Sequence, residues 1–159
     1  MLYIVSKAKD GIQFGDYLEA LESYSAQLPP AVAEFASDEN RFALHHPGSL
    51  HDAWVEQIAI SESRAKDERP SEIRVILTLL GQMHDRRMIL TYEGVSGYSI
   101  IGGKNPHSTP HTLHGDIYTH EVRLSARQEV VHEIAVGDGG QIEITCKTFQ
   151  VEERAITQG

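Results

Sequence analysis

The first part of the chain, after a short opening strand, has apolar residues at helical spacing. The apolar stripe in FGDYLEALESYSAQLPP consists of Phe14, Tyr17, Leu18, Leu21 and Leu28. Asp16 is a suitable N-cap, because its carboxylate can accept hydrogen bonds from the amides of the first turn. Pro29 and Pro30 would end this helix, since proline lacks a donor and restricts the residue before it. PAVAEFASDENRF predicts one or two further helical turns before HHPGS interrupts the chain.

From Leu50 onward, apolar and polar residues alternate with the period of two that is typical of strands. LHDAWVEQIAI places Leu50, Trp54, Ile58 and Ile60 on one side, which we expect to face the core. EIRVILTLL (72–80) is apolar and β-branched enough for the centre of a sheet. Further strands are predicted for RRMILTYEGV, GYSII, IYTHEVRL, EVVHEIAV and QIEITCKTF, and GDGG between the last two is a hairpin signal.

These segments predict an α+β fold, with one or two N-terminal helices followed by a mainly antiparallel sheet of six or seven strands. A chain of 159 residues is long enough to bury a core of its own. We therefore predict a single domain over residues 1–159, in which 1–45 form a helical part and 49–149 a β-rich core.

The alternation also predicts which polar residues share a face of the last three strands. A three-residue turn over 125–127 would set His120 opposite His132, and a turn over 138–140 would set His132 opposite Cys146. Imidazole and thiolate are the usual ligands of zinc, so this row is a candidate metal site. For such a row, two hydrogen-bonded histidines beside a buried free thiol are the commoner arrangement.

The densest group of metal-binding side chains lies in NPHSTPHTLHGD (105–116). It contains His107, His111, His114 and Asp116, whose imidazoles and carboxylate suit a divalent metal such as zinc. Pro106 and Pro110 exclude a continuous helix that would hold the first two histidines on one face. The segment is either a metal-binding loop or a solvated connection between strands.

Histidine also stands near an acid at several strand ends. A dyad from different parts of the chain, such as His51 with Asp85 or His114 with Asp116, could act as a general base. These four are the candidate catalytic residues. The alternative is that polar residues at strand ends organise turns.

Charge and composition narrow the classes of partner. Residues 1–70 carry 12 acidic and 6 basic side chains and residues 71–159 carry 11 and 8, which divides the formal net charge of −9 into −6 and −3. Nucleic-acid binding requires a basic footprint, so we expect no nucleic-acid partner, and a basic protein partner fits better.

No apolar run in the sequence approaches the ~20 residues that span a bilayer. The start lacks the apolar stretch of a secretory signal, and the single cysteine excludes an internal disulfide. We therefore expect a cytoplasmic protein without membrane contact.

Three segments carry a resemblance. SLHDAWVE (49–56), HDRRMILTYEGV (84–95) and HGDIYTHEVRL (114–124) together resemble a group of small bacterial proteins of unknown function, over about residues 49–149. LHDA leading into a strand, and a strand ending in Y-x-G-V, are also similar to the sheet-rich immunity proteins of polymorphic toxin systems. The resemblance implies a bacterial origin and a β-rich domain, and it assigns no catalytic residue.

Three functional hypotheses follow. The first is a non-enzymatic, immunity-like protein that binds a basic partner and needs no cofactor. The second is a metal-dependent hydrolase, with zinc held by the histidines and carboxylates described above. The third is a structural homodimer, because exposed sheet edges invite pairing. For the first hypothesis, the stretch around Glu34, Asp38 and Glu39 is the candidate binding surface.

Overall fold

The structure, a computed structural model, describes residues 6–8, 11–64, 71–104 and 114–157. It confirms the α+β class. A small hairpin, two helices and eight further strands follow one another along the chain, and short 3-10 turns at Ser25–Gln27 and Glu39–Arg41 follow the helices. The elements are β1 Ser6–Ala8, β2 Gly11–Gln13, α1 Gly15–Glu22, α2 Pro30–Ser37, β3 Trp54–Ser63, β4 Glu72–Leu80, β5 Arg86–Glu93, β6 Gly97–Ile101, β7 Ile117–Leu124, β8 Val130–Val136, β9 Gly140–Cys146 and β10 Thr148–Ala155.

The N-terminal helix is present but shorter than predicted. Its N-cap is Phe14, so Asp16 lies in the first turn, and the helix ends at Glu22. The hydroxyl of Ser23 donates to the carbonyl of Ala20 at 2.6 Å, and such local bonds compete with the helical ladder. Pro30 then occupies the first turn of α2, where a backbone N–H has no acceptor within the helix, so the N–H that proline lacks costs no hydrogen bond. The proline pair therefore starts a second helix as well as separating it from the first.

The strands form two four-stranded antiparallel sheets, in the orders β10-β5-β4-β3 and β6-β9-β8-β7, where one sheet of six or seven strands was predicted. Two bends cause the difference. β5 continues into β6 through residues 94–96, and β9 into β10 through Lys147 alone. Gly94 makes the first bend with a φ of +61°, and a Cβ there would lie 2.6 Å from the Lys147 side chain, which is typical of a bulge that requires glycine. β10 then runs to Ala155, beyond the predicted end of the β-rich core at 149.

Main-chain pairing also connects the two sheets at their other edges. The amide of Asp52 donates to the carbonyl of Ile117 at 2.9 Å, and the amide of Ile117 donates to the carbonyl of Ala53 at 2.8 Å. With the two bends, this contact encloses one core in a barrel-like arrangement. The core draws on both sheets and both helices, and its largest fully buried side chains are Tyr17, Tyr92, Phe149, Leu50, Leu77, Leu79, Met88, Leu90, Ile117, Ile134, Ile142 and Ile144.

β3 departs from the predicted alternation. A bulge between Val55 and Gln57 shifts its register against β4, and a bulge moves the residues that follow it to the opposite face. Trp54 is 50% exposed, and its ring lies edge-on to His84 with the centroids 5.3 Å apart. The prediction that Trp54 faces the core was wrong because the bulge places Trp54 and Ile58, which packs against the core, on opposite faces. Leu50, in the turn before the strand, is fully buried.

Residues 14–40, which we call the helical layer, are fixed to the barrel by two tyrosines. The hydroxyl of Tyr17 donates to the carbonyl of Ala36 at 3.2 Å and accepts the amide of Val122 in β7 at 3.3 Å. The hydroxyl of Tyr24 donates to the carbonyl of Val122 at 2.8 Å. The α-helices are therefore held in one position relative to the strands beneath them.

Candidate functional site

Three polar side chains from three strands form a hydrogen-bonded chain inside the core. The hydroxyl of Tyr92 in β5 lies 2.8 Å from Nδ1 of His132 in β8. Nε2 of His132 lies 3.1 Å from Nδ1 of His120 in β7. His120, His132 and Tyr92 are all 0% exposed. We call these residues the Tyr–His–His chain, and it links the two sheets across the barrel interior.

Phenylalanine rings surround the two imidazoles. Phe42 stacks on His120 with the ring centroids 4.3 Å apart, and Phe149 stacks on His132 at 5.1 Å. Phe35 contacts both imidazoles, with centroid distances of 5.5 Å. Phe35 belongs to α2, and Phe42 directly follows the second 3-10 turn. The packing of the helices on the barrel therefore completes the apolar surroundings of the chain.

These apolar surroundings keep the side chains of the Tyr–His–His chain uncharged. Burial lowers the pKa of His120 to about 3, against an opposing effect of the Arg41 carbonyl. Burial, with a smaller contribution from His120, lowers the pKa of His132 well below its usual 6.5. Burial likewise raises the pKa of Tyr92 well above 10 and that of the Cys146 thiol to about 12. At neutral pH the chain is a network of neutral donors and acceptors, and the thiol is not a reactive thiolate.

The predicted row of His120, His132 and Cys146 lies on one face, but its pairing differs. The first turn spans five residues, 125–129, so that His132 pairs with Val122 where His120 was predicted. Cys146 pairs with Val130. A slip of two residues preserves the face, which is why the histidines still meet diagonally. Among the described residues, no group of three or more His, Cys, Asp or Glu side chains could hold a metal ion, and the histidines bond to each other.

Of the candidate catalytic residues, His51 and Asp85 each have another partner, and the pair of His114 with Asp116 stays a prediction. Nδ1 of His51 lies 3.0 Å from the carboxylate of Asp52. Asp85 accepts two hydrogen bonds from Arg86 at 3.0 Å. Asp116 pairs with Trp54 through its main chain, where the two sheets join, and His114 is half-buried two residues before it.

Two of the predicted metal ligands, His107 and His111, lie outside the described residues. A site formed by His107, His111, His114 and Asp116 therefore stays a prediction.

A row of glutamates lies on the opposite face of the same strands and was not predicted. Glu121, Glu133 and Glu143 are in register across β7, β8 and β9. The guanidinium of Arg123 lies 2.7 Å from Glu133, 3.1 Å from Glu143 and 3.4 Å from Glu121. The repeated His–Glu dipeptides at 120–121 and 132–133 carried the signal, because a histidine that faces the core leaves its glutamate neighbour on the other side.

A second electrostatic feature lies on the outside of the helical layer. Residues 14–40 contain six acidic side chains and no basic one. Of the six, all but the half-buried Asp38 are exposed: Asp16, Glu19, Glu22, Glu34 and Glu39. The helical layer thus has a neutral inner face and a negative outer face.

Comparison with known proteins gives no identity for the chain. No known protein family matches it, and no curated protein matches it significantly. Within the described residues, no helix is both long enough and apolar enough to cross a membrane.

Proposed function

We propose that the protein is a non-enzymatic binding domain of the immunity type, and that its helical layer docks on a basic surface of a partner protein. The observation that carries the proposal is the one-sided charge of this layer, with six acids and no base over residues 14–40. The rest of the chain carries 17 acidic and 14 basic side chains and is close to balance. A surface of one sign attracts an oppositely charged partner and raises its association rate.

The acidic face lies on helices that are packed and hydrogen-bonded to the barrel. Tyr17, Val32 and Ala36 on its inner side are fully buried, and the tyrosine hydroxyls bond to the main chain of β7. A surface that is already ordered loses little conformational entropy when a partner binds. This favours binding by a preformed face over folding on contact.

On the sheets several acids have arginine partners, whereas in the helical layer an arginine partner is shown for Asp38 alone among the described residues. Glu93 lies 2.9 Å from Arg74, and Glu152 lies 2.7 Å from Arg154. The opposite charges of such a pair cancel locally, so the pair exerts little long-range attraction on a partner protein. The sheet surfaces are therefore weaker candidates for electrostatic docking than the helical layer.

The proposal is tested with the product of a neighbouring toxin-like reading frame as the probe, by surface plasmon resonance at several salt concentrations. A triple variant, Glu19→Gln, Glu34→Gln and Glu39→Gln, should slow association at least about tenfold at low salt. The control removes the same charge from the sheets, and its substitutions are Glu62→Gln, Glu72→Gln and Glu152→Gln. Equal effects of the two variants, or association that does not depend on salt, would overturn the proposal.

The hydrolase alternative predicts a different measurement. Protein purified without an affinity tag should then contain stoichiometric zinc or another divalent metal by elemental analysis. His114→Ala should abolish any hydrolysis found, whereas His45→Ala, an exposed histidine outside the cluster, should not.

The homodimer alternative concerns another surface. β6 pairs only with β9 among the described strands, and Tyr98 and Ile101 on it are 50% and 54% exposed. An uncharged sheet edge of this kind can pair with a second copy. Sedimentation equilibrium that shows a dimer in wild type and a monomer in Ile101→Lys would favour it.

A further inference from the structure

A small cavity lies at the outer end of the Tyr–His–His chain. It is lined by Arg41, Phe42, His51, Tyr118, Thr119 and His120, and its volume is about 10 Å³. This is about the smallest volume that holds one water molecule. His120 and Thr119 are 0% and 6% exposed. Three polar atoms around the cavity have no hydrogen-bond partner of good geometry among the described residues, namely Nε2 of His120, Oγ1 of Thr119 and Nε of Arg41.

The donor and acceptor roles along the Tyr–His–His chain determine which imidazole nitrogen of His120 carries the proton. Among the described residues, the hydroxyl of Tyr92 has one hydrogen-bond partner, Nδ1 of His132. A buried hydroxyl that does not donate leaves its proton unsatisfied, so Tyr92 donates and Nδ1 of His132 accepts. In a neutral imidazole the other nitrogen then carries the proton, so Nε2–H of His132 donates to Nδ1 of His120. By the same rule, His120 carries its proton on Nε2.

The Nε2–H group of His120 is therefore a buried donor directed at the cavity. The nearby carbonyl of Arg41 already accepts the amide of Leu50 at 3.0 Å and the hydroxyl of Ser49 at 3.2 Å. Both of its acceptor positions are thus in use. An unsatisfied buried donor costs about 1–3 kcal/mol, so an acceptor oxygen in the cavity would stabilise the fold.

The charges around the cavity favour an uncharged occupant. Arg41 lies 3.3 Å from Asp38 and 2.7 Å from Glu153, so its charge is already compensated. An anion would meet no uncompensated positive charge, and the available volume is too small for an organic molecule.

We propose that this cavity binds one water molecule, which accepts hydrogen bonds from Nε2–H of His120 and Nε–H of Arg41 and donates one to Oγ1 of Thr119. The water joins Arg41, at the end of the second 3-10 turn, to Thr119 and His120 in β7. It also extends the Tyr–His–His chain toward His51 and Tyr118, which line the same cavity and are partly exposed. We assign this water without reference to the partner binding that we propose for the acidic face.

The test uses uniformly ¹⁵N-labelled protein and long-range ¹H–¹⁵N correlation of the imidazole rings. We expect His120 and His132 both to be protonated at Nε2. We also expect the Nε2 proton of His120 to show nuclear Overhauser contacts with a long-lived water molecule. Protonation of His120 at Nδ1, or a proton without water contact in the wild-type protein, would overturn the proposal.

A variant locates the water. Thr119→Ile removes the hydroxyl and places extra carbon in the cavity, so the water contact of His120 should disappear while His132 keeps its proton on Nε2. Thr78→Ile, a half-buried position in β4, is the matched control and should leave the contact intact. A contact that survives in Thr119→Ile would place the water elsewhere and contradict the assignment. Thr119→Val serves if the larger residue prevents folding, and it should weaken the contact.

Discussion

The interior of the barrel and the outer face of the helical layer use polar residues in opposite ways. Inside, Tyr92, His132 and His120 are fully buried, neutral and bonded to one another. Outside, the acids of residues 14–40 are mostly exposed and have no basic neighbour within the layer. Buried polar groups affect stability because a lost partner cannot be replaced by water, whereas exposed charges act mainly on long-range association.

Helix α2 belongs to both regions, and this makes the comparison testable. Phe35 contacts both imidazoles of the chain, and its neighbour Glu34 is exposed on the outer face. Substitutions on the two sides of one helix should therefore separate stability from partner binding.

The largest expected difference between the two regions is in the response to acid. The pKa of His120 falls from an ordinary 6.5 to about 3 on folding because of burial, and that of His132 is also lowered well below 6.5. The unfolded chain thus binds protons that the folded protein excludes, so the stability present above pH 6.5 is lost progressively as pH falls toward 3. Between pH 6.5 and 5 His120 should lower the free energy of unfolding by about 1.6 kcal/mol, as measured by urea titration, and the lowered pKa of His132 should add to this loss.

Glu153, which is paired with two arginines, interferes little in this pH window. Burial raises the pKa of Glu153, but hydrogen bonds from Arg41 and Arg86 outweigh it and leave the pKa below the ordinary 4.5. The contribution of ionised Glu153 to stability is therefore lost only at a pH below this window. His120→Gln should reduce the pH-dependent loss between 6.5 and 5 by about 1.6 kcal/mol, and the control His45→Gln, at an exposed position, should change it less. An unfolding free energy that is constant over this window would show that the histidines are not buried neutral.

The next largest change in unfolding free energy is expected when the hydrogen bonds of the Tyr–His–His chain are removed. His132→Leu leaves the hydroxyl of Tyr92 and Nδ1 of His120 without their shared partner, so we expect a loss of about 3 kcal/mol in unfolding free energy. Tyr92→Phe leaves only Nδ1 of His132 unsatisfied and should cost about 1–2 kcal/mol.

The double variant separates the hydrogen bond from packing. If Tyr92 and His132 act as a bonded pair, Tyr92→Phe combined with His132→Leu should cost at least about 0.5 kcal/mol less than the two single losses added together. Strictly additive losses would indicate that each side chain contributes only through its own packing.

The two regions also differed in how far the sequence could predict them. Alternation placed His120 and His132 on one core-facing side, because a slip of two residues in the turn leaves the face unchanged. It could not show that Tyr92 meets them, since that contact crosses between sheets and depends on the bends at Gly94 and Lys147. Trp54 was misplaced because a bulge resets the period. The acidity of residues 14–40 was visible in composition, but only the packing of α2 shows that Glu34 faces away from the core.

A smaller effect is expected at Arg41, which connects the two regions. Its guanidinium bonds to the carbonyl of Gly48 at 2.9 Å and to Glu153 at 2.7 Å. Glu153 keeps a second arginine, Arg86, at 2.9 Å, so Arg41→Met should cost only about 1–2 kcal/mol by thermal or urea unfolding. Arg87→Met, which breaks an exposed pair with Glu56, is the control and should leave the unfolding midpoint unchanged. Equal losses in both variants would mean that Arg41 contributes no more than a surface charge.

The smallest effect on stability should come from the acidic face. Glu19, Glu34 and Glu39 are exposed and carry like charge, so their replacement by Gln removes repulsion and breaks no bond within the core. We expect the triple variant to change the free energy of unfolding by less than about 0.5 kcal/mol per site, toward higher stability. Urea titration at low and high salt measures this, and the gain should shrink at high salt because the repulsion is already screened. A clear loss of stability would mean that these acids hold the helical layer together, and slower association of the same variant could then no longer be attributed to charge on a preformed face.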